Sequence, residues 1–466
     1  MKKNFHISRL IVFDFVAAVA VWVIFYSLRK EILGEVPERF NLPLFAHAIL
    51  IGFFWVILYS FFGFYTEIYR KSRIKELFTL FTISFLGAIF VFFALLLDDQ
   101  GVSNYKAYYK TFAAYFALHF LITAILKISL ITFVKNQVKK KKLSFNTLII
   151  GSGKNAVDIF EEIQHSYEAL GLRFLAYVSV KENENAFGGK LRSMGTIENL
   201  GKIITRCHIE QVVIAVEEEE HMYMQEILFG LEKYKDIRIS ITPDIHKHLI
   251  GTIRVNHSFD IPLMDINQDL MPVWQHNLKR VADVLVASLV LIFGFPFFVL
   301  IGILIKITSK GPVFYSQERI GKDGNPFHIF KFRSMYVDSE QAGPALSSSR
   351  DLRITNIGRF MRKTRIDEFP QFYNVLIGDM SLVGPRPERQ FFIDQIVQVA
   401  PHYKHLHKVK PGITSLGQVK FGYASNVDEM VARLKYDILY IENMSFSMDL
   451  RIILYTFLVM VQGRGK

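Results

Sequence analysis

Residues 279–310 read KRVADVLVASLVLIFGFPFFVLIGILIKITSK, and how this run meets a membrane decides the architecture of everything after it. Val281 to Ile307 is long enough to cross a hydrocarbon layer of about 30 Å as a helix. Lys279 and Arg280 precede it and Lys306 and Lys310 lie at its far end, so basic flanks on both sides give no preferred direction of crossing. Pro296 stands at the middle, two residues after Gly294, where a proline removes a backbone hydrogen bond and kinks a helix. Two readings follow. A re-entrant hairpin over 281–307, turning at Pro296, dips into one leaflet and returns, with its freed backbone groups satisfied by protein at the bend. An ordinary kinked fifth span instead delivers the basic C-terminal segment to the opposite side.

Working outward, four earlier runs set the starting side. Leu10 to Leu28, Leu44 to Phe64, Leu77 to Leu97 and Tyr108 to Val134 are each near the roughly 20 residues a spanning helix needs. The first is not a cleavable leader, because it has no small-residue cleavage site and continues through Trp22, Phe25 and Tyr26 into Arg29. Asp14 lies inside it, and an acid at that depth faces other helices, as a buried hydrogen-bonding group, or water, as part of a transport path. Lys2, Lys3 and Arg9 precede the first run, Arg70, Lys71, Arg73 and Lys75 separate the second from the third, and Lys135 with Lys139 to Lys142 follows the fourth. The remaining loops carry Glu31, Glu35, Glu38, Asp98 and Asp99 beside fewer cations. By the positive-inside rule both ends of the bundle are cytoplasmic.

Composition agrees. The chain has 466 residues, 51% of them hydrophobic, 14% aromatic and only 21% charged, with 43 Phe, which is too apolar for a surface that meets only water. It excludes disorder, a collagen-like chain and a small disulfide scaffold. The single Cys207 forms no internal disulfide and fits a reducing compartment. With 55 Lys and Arg against 43 Asp and Glu, the net charge is +12, suited to anionic membranes, nucleic acid or phosphorylated substrates. The cations gather at membrane flanks and around one acidic pair rather than on a base-stacking surface, so no nucleic-acid role is expected.

Between about Leu143 and Ile250, short apolar stretches at Asn146–Ile150, Phe174–Val180, Gln211–Val216 and Ile237–Ile241 alternate with helix-like segments, the pattern of a doubly wound parallel sheet. After the first stand Gly151, Gly153 and Ala156, spaced as G-x-G-x-x-A, a turn that lets a pyrophosphate approach a helix N-terminus. The acid expected near the end of the second strand is only loosely supplied by Glu182. A tight turn in a scaffold or regulatory domain therefore stands beside nucleotide binding.

The chemistry-bearing segment follows the hairpin. Lys331-Phe332-Arg333-Ser334-Met335 precedes a cation-rich helix, capped by Thr355 and carrying Arg359, Arg362, Lys363 and Arg365. Asp367 and Glu368 come next, then Pro370 and an apolar stretch closed by Gly378, the proline and glycine of a helix start and stop. Carboxylates beside a helix N-terminus and arginines stay ionised in a setting that attracts phosphate. They can serve as a nucleophile, as in aspartyl-phosphate chemistry, or as Mg²⁺ ligands; the plainer reading is that Asp367 caps the helix and pairs with Arg362 or Arg365. Pro385-Arg386-Pro387 is a stiff turn presenting one guanidinium to phosphate, or pairing with Glu388.

From about Lys279 onward the chain resembles the catalytic unit of the monotopic polyprenyl-phosphate hexose-1-phosphate transferases, bacterial enzymes that begin exopolysaccharide, capsule or glycoconjugate assembly. The resemblance is carried by Lys279-Arg280-x-x-Asp283, Pro296, Lys331 to Met335, Arg362 ahead of Asp367-Glu368-Phe369-Pro370-Gln371, Asn374-Val375, Gly378 to Pro387, Lys410-Pro411-Gly412-Ile413-Thr414 and Gln418-Val419. With the four runs and the central domain, it is similar to the long form of that family over the whole chain. It implies that Asp367 attacks the β-phosphate of a UDP-sugar, releasing UMP, and that polyprenyl phosphate takes the sugar phosphate from the carboxylate. It assigns Glu368 to Mg²⁺ or acceptor positioning, with Asp367 and Glu368 both metal ligands. Arg362, Arg386, Lys331 and Arg333 hold phosphate, Pro385 and Pro387 bound the uridine pocket, and Lys279 and Arg280 meet the lipid phosphate. Phe295 stands where many members have Ser, and Leu416 where an aromatic is common.

The expected architecture is a membrane α-helical bundle of four spans (1–142), a Rossmann-like α/β domain (143–250), a linker (251–277) and a mainly α catalytic domain (278–466) with the re-entrant membrane hairpin. The expected setting is a bacterial inner membrane with the soluble domains cytoplasmic. The partners are a UDP-sugar, polyprenyl phosphate and the lipid bilayer, with Mg²⁺ as cofactor and a homodimer left open. Two other classes compete: a membrane-tethered NAD(P)-dependent or nucleotide-sensing protein centred on Gly151 to Ala156, and a transport or scaffold protein built on the spans. The closing run Leu450 to Val461 is too short to span; it packs on the catalytic domain or lies along the interface.

Overall fold

The computed structural model describes residues 2–34, 42–66, 73–96, 105–140, 143–165, 171–181, 186–232, 234, 237–242, 255–257, 263–266, 270–337, 351–422, 424 and 426–461. Glu35, Glu38, Arg70, Lys71, Asp98, Asp99, Lys141, Lys142 and Glu182, used above for topology and for the second strand, lie outside them. The chain forms two compact units, Met1–Gln268 and Asp269–Lys466.

The first unit begins with four long helices, α1 (Lys2–Leu33), α2 (Leu42–Phe61), α3 (Arg73–Val91) and α4 (Tyr105–Lys139). On α2 the enclosed positions Leu44, Ala48, Ile51, Trp55 and Tyr59 recur at helical spacing on one face, while Phe45, Leu50, Phe53 and Ile57 point outward, all more than half exposed. A helix apolar on every side suits lipid rather than water. Small residues bring the helices close: a Cβ on Gly87 would stand 2.4 Å from Trp55, and one on Gly52 would stand 2.7 Å from Phe15. Asp14 on α1 lies 3.3 Å from Lys127 on α4, both almost fully enclosed, and the Lys127 ammonium sits 4.1 Å from the Tyr59 ring and 3.8 Å from the Phe64 ring. A charge at such depth is tolerated when paired, which is the buried role expected of Asp14.

The same unit continues as β1 (Phe145–Ile150), α5 (Lys154–His165), β2 (Leu172–Ser179), β3 (Arg192–Thr196), α6 (Leu200–Cys207), β4 (Gln211–Ile214), α7 (Met224–Glu232), β5 (Arg238–Ile241), β6 (Val255–His257) and β7 (Met264–Ile266). The strands form one sheet in the order β3-β2-β1-β4-β5-β7-β6. The first five are parallel and the last two pairings antiparallel. β4 is enclosed at every position, as a parallel strand covered on both faces must be. Residues 251–277, expected as a linker, thus contribute β6 and β7 to the sheet edge.

The second unit opens with α8 (Val273–Thr308), which runs unbroken through Pro296. The proline expected to break the run into two helices is accommodated inside one. The midsection is bare, with Leu289, Ile292, Phe293 and Phe295 all more than half exposed, whereas both ends are seated. Near the start, Asp283 accepts from Leu382 N; near the end, Phe298 packs 5.9 Å from Phe332 and 5.8 Å from Phe369. Together with α1 to α4, α8 makes five helices long and apolar enough to cross a membrane.

After α8 come the hairpin β8 (Phe314–Ile320) and β9 (Pro326–Phe332), then α9 (Asn356–Thr364), a 3₁₀ turn Ile366–Glu368, α10 (Gln371–Ile377), β10 (Ser381–Val383), α11 (Gln390–Val399), β11 (Gly412–Thr414), α12 (Leu416–Lys420), α13 (Val427–Glu442) and α14 (Phe446–Val461). Thr355 caps α9 as the sequence suggests, its Oγ1 accepting from Gly358 N at 2.9 Å. α14 packs on this unit through Asp449 and Ile452 and leaves Leu454 and Phe457 nearly two-thirds exposed.

Candidate active site

The acidic pair is placed by the joint between α9 and α10. Arg365 ends α9 in the left-handed region at φ 61°, uncommon for a non-glycine residue and found where surrounding structure enforces it. The chain then makes one 3₁₀ turn, so Asp367 and Glu368 precede α10 rather than opening it. Both are buried.

The two carboxylates are treated very differently. Glu368 Oε1 receives Lys331 Nζ at 3.3 Å and Arg386 Nη2 at 3.5 Å, and its Oε2 receives Arg365 Nη1 at 3.3 Å. Burial pushes its carboxyl up, but Lys331, Arg386 and Arg365 outweigh that and hold it well below the usual carboxylate range. Asp367 Oδ1 is buried without a hydrogen-bond partner. Burial first, then the Glu368 charge, raise Asp367 above the usual range, with Lys331, Arg362 and Arg365 pulling the other way. Around the pair, four cations, Lys331, Arg362, Arg365 and Arg386, face two carboxylates and leave a surplus of two positive charges. The cap expected as the plainer role of Asp367 is not made: α10 has no side-chain cap, and Arg365 goes to Glu368.

A family model described as "Bacterial sugar transferase" matches residues 274–463. Over 126 residues the chain is 45% identical to a relative from Bacillus subtilis (strain 168), provisionally named an undecaprenyl-phosphate N-acetylgalactosaminyl 1-phosphate transferase, covering 27% of this chain and 70% of that one. The chain belongs to the bacterial sugar transferase family. It is also 39% identical over 221 residues to the UDP-N-acetylgalactosamine-undecaprenyl-phosphate N-acetylgalactosaminephosphotransferase of Aeromonas hydrophila, covering 47% of this chain and 52% of that one. Against the UDP-galactose-lipid carrier transferase of Erwinia amylovora it is 28% identical over 496 aligned positions, covering 100% of this chain and 97% of the other. In its strongest matches the chain spans about half the length of the curated relatives.

Within this sugar transferase, Lys331 and Arg386 both pair with Glu368, and Pro385 and Pro387 line a small hollow with Tyr403 and His407. Arg362 directs its Nε to Ser334 Oγ at 2.9 Å while contributing to the field at Asp367. Three expected phosphate contacts have other work. Lys279 is buried on Asp449, 2.6 Å away, and on the Val383 carbonyl at 2.9 Å. Arg280 donates to the carbonyls of Val375 and Leu376, closing the end of α10. Arg333 donates to the carbonyls of Ser309 and Lys310, each at 2.8 Å, at the foot of α8. Desolvation favours these partners, and Arg280 takes carbonyls in the last turn of α10, which have no intrahelical donor.

The glycine turn of the first unit is also real, yet filled. Gly151 takes φ 131°, and a Cβ there would stand 2.2 Å from the Ala215 carbonyl oxygen. Ala156 is fully enclosed against the sheet. Asn155 N, at the N-terminus of α5, donates to Glu217 Oε1 at 2.8 Å, and a Cβ on Gly153 would stand 2.3 Å from the same oxygen. A carboxylate of the chain therefore occupies the place where a pyrophosphate oxygen would be received.

Proposed function

We propose that this transferase moves a sugar 1-phosphate from a UDP-sugar to polyprenyl phosphate through a covalent intermediate on Asp367. The observation that carries the proposal is the pairing of a buried, unpartnered Asp367 oxygen with a Glu368 already gripped by three cations. Asp367 Oδ1 attacks the β-phosphorus; the bond from that phosphorus to the bridging oxygen breaks, and its electron pair leaves on UMP. A terminal oxygen of polyprenyl phosphate then attacks the same phosphorus, breaking its bond to the carboxylate and giving polyprenyl-diphosphate sugar. Lys331, Arg365 and Arg386 keep Glu368 ionised and stabilise charge on the phosphoryl oxygens.

Asp367 and Glu368 are the carboxylates available to Mg²⁺, which when bound would offset charge on nucleophile and diphosphate. The unpartnered Asp367 oxygen fits a ligand role. No cluster of three or more His, Cys, Asp or Glu stands ready for a metal among the described residues, so substrate oxygens and water would complete the shell.

The re-entrant reading of α8 is supported by where its ends are held. A straight helix from Arg280 to Thr308 would measure about 42 Å. Yet Arg280 grips Val375 and Leu376, the neighbouring Asn374 receives Phe330 N, and Arg333, three residues on, grips Ser309 and Lys310. Both ends thus rest on neighbouring parts of one unit, which supports a site at one leaflet, where a long lipid acceptor would lie. The positive-inside pattern of the first four apolar runs supports a cytoplasmic setting at a bacterial inner membrane. The central sheet is read as a Rossmann-like scaffold.

The relatives' names cover N-acetylgalactosamine, glucose and galactose, so a panel of UDP-sugars decides the hexose. Purified full chain with Mg²⁺, polyprenyl phosphate and that panel releases UMP, and Asp367→Asn abolishes release; activity surviving in the variant defeats the covalent route. In a Cys207→Ser background, Trp274→Cys and Lys310→Cys react with an impermeant thiol reagent from the same side; labelling from opposite sides defeats re-entry.

A further inference from the structure

We infer that Glu388 is a positioning residue for transfer, its buried carboxylate anchoring the Pro385–Pro387 turn so that Arg386 meets Glu368. The inference rests on the transferase reading above for its activity measurements. Glu388 and Arg433 are 4% and 5% exposed, and neither touches the acidic pair. Arg433 Nη2 donates to Glu388 Oε1 at 2.8 Å, and Arg319 Nη1 donates to Glu388 Oε2 at 3.3 Å and to the Pro387 carbonyl at 3.4 Å. The main chain is held as well: Ile320 N donates to the Glu388 carbonyl at 3.1 Å, and Gly412 N donates to the Pro385 carbonyl at 2.9 Å.

The anchor extends into α13. Arg433 Nε lies 3.8 Å from Asp437 Oδ2, and Asp437 Oδ1 receives Gly417 N at 3.0 Å. Two residues before Glu388, Arg386 reaches Glu368 across 3.5 Å, a long contact that a small displacement would break. The prolines on either side leave the turn little freedom, so a shift at Glu388 passes directly to Arg386. Buried ion pairs are weak sources of stability because desolvation consumes most of the attraction. What this one supplies is a defined position for the guanidinium, and a misplacement of 1 Å near reacting groups costs on the order of 10²-fold in rate.

The test uses the full chain. Glu388→Gln is expected to lower kcat/KM for UMP release about 10²-fold. In an Arg386→Ala background, adding Glu388→Gln changes the rate less than about threefold if Glu388 acts through Arg386; independent, multiplying losses would overturn the inference. Replacing both partners, Glu388→Met with Arg433→Met, restores apolar packing without the anchor and keeps the slow rate; recovery of wild-type rate would also overturn it. A cryo-electron microscopy structure of Glu388→Gln reads the position without activity: Arg386 is displaced from Glu368, whereas Arg386 still in place refutes the inference. If the wild-type chain releases no UMP from any UDP-sugar, the transferase reading fails, and the structure of the variant still decides whether Glu388 places Arg386.

Discussion

The chain contains two places whose sequences suit phosphate, and they differ in what the fold has already put there. At the N-terminus of α5, Glu217 Oε1 accepts Asn155 N at 2.8 Å, so the anion-seeking end of the helix is satisfied from within. At Asp367 and Glu368, cations outnumber carboxylates and one carboxylate oxygen has no hydrogen-bond partner. The two motifs are separated by whether their polar groups are already spent. Buried polar groups are normally satisfied, so an unpartnered carboxylate oxygen among surplus cations is a place that a substrate could complete.

The largest expected effect sits at that leftover group. Asp367→Asn keeps shape and removes the proposed nucleophile, and UMP release should fall by more than about 10³-fold; a smaller loss would erase the contrast between the two places. Next, Lys331→Met or Arg386→Ala removes one of three cations on Glu368, and each should cost about 10²-fold in kcat/KM, near 2.7 kcal/mol of transition-state stabilisation. Stopped-assay product counts across the UDP-sugar panel measure both.

At the filled site the effects should be structural. Gly151→Ala forces a Cβ to 2.2 Å from a backbone oxygen at φ 131°, and the central sheet should lose on the order of 2–3 kcal/mol, read by hydrogen exchange in β1 and α5. UMP release per folded molecule stays unchanged. Smallest of all, Glu217→Gln keeps an acceptor for Asn155 N and should alter UMP release less than about twofold, with a stability loss near 1 kcal/mol. Binding of NADH by the full chain, read by calorimetry and lost in Gly151→Ala, would overturn the reading of a self-filled site.

Much of the fold was readable locally. The expected strands at Asn146–Ile150 and Gln211–Val216 match β1 and β4 closely, because fully buried strands are continuous apolar runs. β3, Arg192–Thr196, escaped since Met194 is its one large apolar residue and the strand is only partly buried. β6 and β7 escaped because three residues each leave no periodicity to read. Pro296 signalled a break, yet α8 continues through it; one missing hydrogen bond bends a helix without ending it when its neighbours remain paired.

At the site, Asp367, Glu368, Lys331 and Arg386 were all legible. The partners that set their roles were not. Lys279 is taken by Asp449, 170 positions away, and Glu388 by Arg433, 45 positions away, with nothing local to mark either pair. By itself the sequence determined which segments are apolar enough for a membrane, where most of the parallel strands lie and which acidic pair follows the arginine-rich helix, because hydrophobic runs and motif spacing are properties of neighbouring residues. Only the tertiary structure decided which cations face those acids, which are spent elsewhere and which phosphate-like turn is already closed. Charge pairing depends on burial and distance between parts of the chain that meet only on folding.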